Sequence, residues 1–107
     1  MTENVGNNKP NIRIILTSYH LYNLSPPEDS TLSEVNVNVY ETIADRDEQV
    51  NAVRTGTTDS SGKVTFQYMD TKTYYIQALK DSFQPFNINI KITSNTITAY
   101  EDLILQK

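Results

Sequence analysis

A chain of 107 residues is long enough for one modest hydrophobic core and too short for two. Its net charge of −4 and its nine scattered Lys and Arg residues argue against a nucleic-acid partner, because phosphate binding needs clustered basic side chains. It has no cysteine and no run near the ~20 apolar residues of a membrane helix, which excludes a disulfide scaffold, a thiolate metal site, a cysteine nucleophile and a transmembrane segment.

The first residues are polar, and we predict a flexible N-terminal tail or tether, 1–11, ahead of a single domain, 12–107. The tail has neither the basic start nor the apolar stretch of a signal peptide. Two interpretations stay open. The chain is either a cytoplasmic protein or the mature part of a cell-envelope or extracellular protein whose signal segment lies outside this sequence, with a lipid anchor as one option. The tether-like composition of the tail favours the second interpretation.

Apolar residues recur at every second position in segments 35–39, 64–68, 74–78 and 88–92, which is typical of strands with one buried face. Segments 12–19 and 97–105 alternate less regularly, and segment 50–58 is polar, as expected of an edge strand. No window has a convincing helical period. The segment 44–53 contains Asp45-Arg46-Asp47-Glu48 and is predicted to be a loop followed by a short strand. The sequence therefore predicts seven strands.

Turn-forming residues separate these strands. The segment 26–30, Pro-Pro-Glu-Asp-Ser, is predicted to be a loop that no helix or strand crosses. Asp59-Ser60-Ser61-Gly62 is predicted to be a tight turn, in which Asp59 accepts a hydrogen bond from the backbone and Gly62 adopts a positive φ. Strands at this spacing, joined by hairpin-length turns, indicate an all-β sandwich or barrel.

The alternation also predicts which side chains are buried, because a shift of one residue would send every side chain of a strand to the opposite face. The residues predicted to point inward are Val37, Phe66, Tyr74, Ile76, Ile90 and Leu103. The residues predicted to point to water are Asn38, Gln67, Gln77 and Lys91.

The middle of the chain carries a longer pattern, made of Val35 to Tyr40, the hairpin from Thr57 to Phe66, and Tyr74 to Ala78 followed by Phe83. This pattern resembles the transthyretin-like, Cna-B-like and carboxypeptidase-regulatory-like domains of bacterial surface proteins. The resemblance implies a seven-strand Greek-key β-sandwich of the prealbumin-like kind, with Phe66 and Tyr74 pointing inward from neighbouring strands. Lys72 departs from the pattern, which usually has a glycine before the tyrosine strand, so the turn type there is left open.

Some Cna-B-like domains form a Lys–Asn isopeptide bond with the help of a buried acid. At the matching positions this chain has Arg13, which stays protonated and cannot act as the amine nucleophile, and Gln77 in place of the usual Glu. We therefore expect no crosslink. Transthyretin-like hydrolases need several His and Arg residues, and intradiol dioxygenases hold iron with two Tyr and two His. The single histidine of this chain supplies neither set.

Three further groups were considered as sites. His20 is interpreted as a partly exposed histidine among loop aromatics rather than as a zinc ligand or triad member. Asp45, Asp47 and Glu48 offer oxygens of the kind that calcium binds, but a solvated charge run is the stronger interpretation because the EF-hand glycine and bidentate acid are missing. The tyrosines Tyr19, Tyr22 and Tyr40 offer stacking faces for a carbohydrate or peptide groove, although core and rim positions are commoner for tyrosine.

Two functions from different classes follow. The first is a non-catalytic structural or adhesive module of a bacterial cell-envelope or surface protein. The alternative is a small-ligand or carbohydrate-binding domain that uses the end loops of the sandwich. Neither needs a cofactor, and no catalytic, cofactor-binding or metal-binding residue is predicted. The expected partner is a protein or glycan at the cell surface, and self-association through a sheet edge is left open.

Overall fold

The computed structural model describes residues 10–24 and 27–107, and the side chains of residues 10–21 and 30–107. This part of the chain contains eight strands and one short helix. In chain order they are β1 (Arg13–Leu24), β2 (Pro27–Thr31), β3 (Asn36–Tyr40), α1 (Ile43–Glu48), β4 (Arg54–Thr57), β5 (Lys63–Phe66), β6 (Thr73–Leu79), β7 (Phe86–Lys91) and β8 (Thr98–Leu105).

The strands form two sheets. In the first sheet, β8 runs parallel to β1 from Arg13 to His20, whereas β5 and β2 are antiparallel to β1. One edge of β1 is occupied by β8. The strands β5 and β2 therefore lie end to end along its other edge. The second sheet is antiparallel, in the order β4-β3-β6-β7, and the chain crosses between the sheets after β2, β4, β5 and β7. The predicted all-β sandwich is confirmed, and the polar segment 50–58 supplies the predicted edge strand, β4.

The hydrophobic core lies between the inner faces of the two sheets. All six residues predicted to point inward are buried, which confirms the period-two assignment of the inner faces. The core contains Ile12, Ile14, Leu16, Val35, Val37, Val39, Phe66, Met69, Tyr74, Ile76, Ala78, Ile90, Ile92, Leu103 and Leu105. Burial of this apolar surface is the main source of stability, since each such side chain contributes roughly 1.5–3 kcal/mol.

Two buried hydroxyl groups form hydrogen bonds to the backbone just after β2, where the chain leaves the first sheet. Ser18 Oγ donates a hydrogen bond to the carbonyl of Leu32, and Thr58 Oγ1 donates to the same carbonyl at 2.9 Å. Thr58 Oγ1 also accepts from the backbone N–H of Val35 at 3.0 Å. The backbone N–H of Ser18 donates to the carbonyl of Gly62 at 2.7 Å. These bonds satisfy polar groups that the crossing would otherwise bury without partners.

The turn before β5 forms as predicted. Asp59 Oδ1 accepts from the backbone N–H of Ser61 at 2.8 Å and of Lys63 at 3.0 Å. The N–H of Lys63, followed by that of Ser61, lowers the pKa of the Asp59 carboxyl, because both bonds favour its charged form. Gly62 has a φ of 80°, and a Cβ there would lie 2.9 Å from the carbonyl oxygen of Ser18, so only glycine fits without strain.

Two predictions about secondary structure are wrong. The segment predicted to be a loop contains β2, which pairs with the second half of β1; Pro27 is its first residue, where proline is tolerated on an edge strand. Pro26 lies outside the described residues. The segment 44–53 contributes to helix α1, whose first turn is capped by Thr42 Oγ1 accepting from the N–H of Asp45 at 3.0 Å. Six residues are too few for a helical period to show in the sequence. The described part therefore has eight strands where seven were predicted.

Three predictions about individual side chains are also corrected. Phe66 and Tyr74 both point inward, but they lie on β5 and β6, which belong to different sheets and are not neighbours. Tyr68 does not continue β5: it lies two residues beyond the end of the strand, has a φ of 57° and is exposed. Gln77, predicted to face water, is buried on the outer face of the second sheet. Lys72 needs no glycine-like backbone; its Nζ instead pairs with Glu41 Oε2 at 2.8 Å.

Candidate functional site

A row of polar side chains crosses the outer face of the second sheet. The pairing register places Thr55 opposite Asn38, Asn38 opposite Gln77, and Gln77 opposite Asn87. The residues on either side of Asn38 and Gln77 in their strands belong to the core, so these two side chains must point away from it. We call Asn38, Thr55, Gln77 and Asn87 the polar row.

Gln77 fixes the orientation of this row. Its Oε1 accepts a hydrogen bond from Gln49 Nε2 at 2.8 Å, and its Nε2 donates to Asn87 Oδ1 at 3.0 Å. Since every amide carries both a donor and an acceptor group, the chain of bonds leaves the carbonyl oxygen of Gln49 and the amide nitrogen of Asn87 for outside partners. The result is a neutral surface with an acceptor at one end and a donor at the other.

Helix α1 covers one end of this face and explains the burial of Gln77. Gln49, which ends the helix in a left-handed conformation, supplies the hydrogen bond to Gln77. Arg46 Nη1 donates to Asn89 Oδ1 on β7 at 3.3 Å, and this places the helix across the sheet. Tyr40, on the same outer face, is 2% exposed. The charged segment 45–48, predicted to be a solvated run, is therefore part of the helix that borders the candidate site.

A cavity of about 530 Å³ lies at the other end of the same face, beside the row that pairs Asn36 with Leu79. The described residues that line it are Glu34, Asn36, Leu79, Lys80 and Asp81. Lys80 Nζ is held in place, because it donates to the carbonyls of Ser33 at 3.1 Å and Glu34 at 3.4 Å. The cavity thus offers two carboxylates, an ammonium group and an amide around one apolar side chain.

Two of the three tyrosines considered for a groove, Tyr19 and Tyr40, lie on different sheets and do not come together. Tyr40 is buried on the second sheet, and Tyr19 is half-buried on β1 in the first sheet. The side chain of Tyr22 lies outside the described residues. Asn36, Gln49, Asn87 and the cavity residues were not predicted from the sequence. For Asn36 and Asn87, the signal that could have found them is the use of Asn, rather than charged residues, at alternate positions of 36–38 and 87–89.

The other candidate groups are dispersed. His20 packs edge-on against Phe83, with ring centroids 4.8 Å apart. Asp45 Oδ1 accepts from Asn51 Nδ2 at 3.4 Å, and Asp47 pairs with Arg46, so these acids do not converge. Among residues 10–24 and 27–107, no group of three His, Asp or Glu residues is placed to hold a metal ion. Nor does that part of the chain contain a helix long and apolar enough to cross a membrane.

Arg13 and Gln77, the residues at the isopeptide positions, are far from each other in the fold. Arg13 is exposed on β1, where its Nη2 donates to Thr98 Oγ1 at 3.4 Å. Gln77 lies on the outer face of the other sheet. Because packed sheets are ~10 Å apart, the whole core separates the two side chains.

No protein-family profile matches the sequence, and no curated protein matches it. Solved structures do share its fold. The major pilin subunit of Bacillus cereus has a TM-score of 0.63 at 16% identity, over 92% of this chain and 30% of that chain. The minor pilin of Streptococcus agalactiae has a TM-score of 0.61 at 14% identity, over 92% of this chain and 45% of that chain. The Bacillus anthracis TIE protein has a TM-score of 0.61 at 15% identity, over 90% of this chain and 18% of that chain.

These likenesses show that the chain shares the β-sandwich fold of these pilin and surface proteins. The chain spans less than half the length of each of these three proteins. The fold also occurs in chlorocatechol 1,2-dioxygenase from Pseudomonas putida, at a TM-score of 0.50 and 12% identity. The fold therefore does not decide between binding and catalysis, and function has to be argued from the residues.

Proposed function

We propose that this chain is a non-catalytic structural module of a bacterial cell-surface protein. The observation that carries the proposal is the pattern of coverage: about nine-tenths of the chain matches pilin and surface-protein structures, yet it spans only 18–45% of three of them. That pattern is typical of one domain in a larger assembly.

The same proposal places the domain in the cell envelope or outside the cell, with the polar segment 1–11 as a tether. The partner, a protein or a glycan at the cell surface, stays a prediction. An antibody raised against the domain tests the location. We expect it to label intact cells of the source organism, and we expect brief protease treatment of those cells to remove the signal. Labelling that appears only after lysis, with the protein in the cytosolic fraction, would contradict the proposal.

A second candidate function, carbohydrate binding, is favoured by the outer face of the second sheet. Hydroxyl groups of a sugar pair well with neutral amides that are already oriented, and Asn87 and Gln49 present such a donor and acceptor on the same face as a cavity of mixed charge. A Pseudomonas aeruginosa protein whose proposed role is carbohydrate binding shares the fold at 15% identity and a TM-score of 0.52, over 92% of this chain and 89% of that chain. This candidate moves the site from the end loops to the sheet face.

A glycan array followed by an NMR titration of the ¹⁵N-labelled domain tests this second candidate. We expect shifts at the polar row and at the cavity residues. Asn87→Ala should weaken binding, because it removes the free amide donor. Asn95→Ala is the matched control, since Asn95 is an exposed amide in the turn before β8. Equal binding by the two variants would place the ligand elsewhere, and no shift with any array hit would remove the candidate.

A further inference from the structure

The parallel pairing of β1 and β8 has a mechanical consequence. Arg13 is opposite Thr98 and His20 is opposite Leu105, with every residue between them in register. The chain therefore enters β1 at one end of the pair and leaves β8 at the other end. Seven residue intervals at ~3.3 Å each separate those points by about 23 Å along the strands.

Tension between the two ends of such a pair acts along the ladder of hydrogen bonds. In a parallel ladder the bonds are evenly spaced, so the load is shared among them and they must break together when one strand slides past the other. If the strands are instead pulled apart from one end, the bonds break one after another. The same pair therefore resists end-to-end tension better than it resists peeling.

The surroundings of the pair favour β8 as the strand that slides. β1 is held along its other edge by β5 and β2, whereas β8 pairs with β1 alone in the described part of the chain. The inner side chains Leu103 and Leu105 are fully buried, so sliding β8 also pulls them out of the core. Beyond β8, the carbonyl of Gln106 accepts from the N–H of Gln84 at 2.7 Å, which fastens the end of the strand.

We infer that the β1–β8 pair is a mechanical clamp, which lets the domain transmit tension from one end to the other without a covalent crosslink. Its use in a cell-surface stalk or fibre rests on the proposed function, but the clamp itself is a property of the fold. The two positions that would take part in an isopeptide crosslink do not come together, since Arg13 and Gln77 lie on the outer faces of different sheets. The hydrogen-bond ladder and the buried leucines take the load instead.

Single-molecule force spectroscopy tests the clamp through the choice of attachment points. The chain has no cysteine, so introduced cysteines label uniquely. One variant carries Pro10→Cys with Lys107→Cys, which loads β1 and β8 in shear. The matched variant carries Pro10→Cys with Ile97→Cys, which peels the same two strands from one end, because the carbonyl of Ile97 bonds to the N–H of Arg13 at 3.1 Å. All three substituted residues are exposed.

At equal loading rate, we expect the shear variant to unfold at a higher force than the peeling variant, because its evenly spaced bonds must break together. Equal forces would overturn the inference. A pair of core variants adds a second measurement. For each variant, the loss of unfolding force in shear is divided by the loss of free energy of unfolding measured in urea. This ratio should be larger for Leu103→Ala than for Val37→Ala. The reverse order would mean that β8 does not carry the load. If the domain is found on the cell surface but unfolds at equal force in the two variants, the clamp is refuted and the proposed location still stands.

Discussion

Phe66→Ala is the most direct test of the inner face of the first sheet. The ring is 5% exposed and lies between the sheets, close enough to β4 that a Cβ on Gly56 would come within 3.3 Å of it. The two sheets are fixed by their own hydrogen bonds and collapse only partly around the missing ring. Truncation of a buried phenylalanine then costs about 3–5 kcal/mol.

That loss is a large share of the ~5–15 kcal/mol that stabilises a domain. With an m value near ~1.5 kcal/mol per M, urea unfolding should show the midpoint lowered by about 2–3 M. The control is Gln67→Ala, one residue further on. Gln67 is exposed, and its Oε1 accepts only from Asn11 Nδ2 at 3.0 Å, so its free energy of unfolding should change by less than ~0.5 kcal/mol. If Gln67→Ala proves the more damaging, the register of β5 is wrong.

Four further predictions concern polar groups. Gln77→Ala should lower the free energy of unfolding in urea by about 1–3 kcal/mol, because it removes the two hydrogen bonds that a buried side chain makes to Gln49 and Asn87; a change as small as that of Gln67→Ala would contradict this. Asp59 has a lowered pKa in the folded state, so its stabilising effect is complete above the ordinary carboxyl pKa of about 3.9 and is lost as the pH falls towards the folded value. Unfolding curves of Asp59→Asn should accordingly converge with those of the unsubstituted protein in acid, and a constant difference down to low pH would exclude the effect. EDTA should leave Tm unchanged, and a drop reversed by calcium would reveal a site. Intact mass spectrometry should give the unmodified mass, whereas the loss of one ammonia or water would show a crosslink.

The inner faces of the strands could be predicted because burial imposes a strict alternation. Val37, Ile76 and Ile90 each lie between polar residues in the sequence, and each is buried between the sheets. A one-residue shift would have placed Asn in the core at β3, Gln at β6, and Asn and Lys at β7, which is costly enough to exclude. The turn at Asp59 was predictable for a different reason: its side chain forms both of its hydrogen bonds within four residues.

The pairing of strands could not be predicted in the same way, because alternation gives a face but not a neighbour. Phe66 and Tyr74 follow each other along the chain and both point inward, yet the chain crosses to the other sheet between them. The alternation of apolar and polar residues along β6 also does not predict which element covers the outer face of the strand. Gln77 has the sequence context of an exposed residue, and its burial depends on a helix that begins more than thirty positions earlier.

The polar row shows why the candidate site was hidden as well. Its members come from four strands, and each looks like an ordinary solvent-facing residue until the register brings them into line. Charged residues would keep that face soluble equally well, but they could not form the continuous chain from Gln49 through Gln77 to Asn87, because a carboxylate only accepts and an ammonium only donates. Amides can do both, so Gln77 can be buried under α1 with its bonds satisfied while the exposed Gln49 and Asn87 present an acceptor and a donor at the ends. If the face served only to keep the domain in solution, that continuity would be unnecessary. Because of this continuous chain of hydrogen bonds, the outer face of the second sheet should be tested for ligand binding before the end loops.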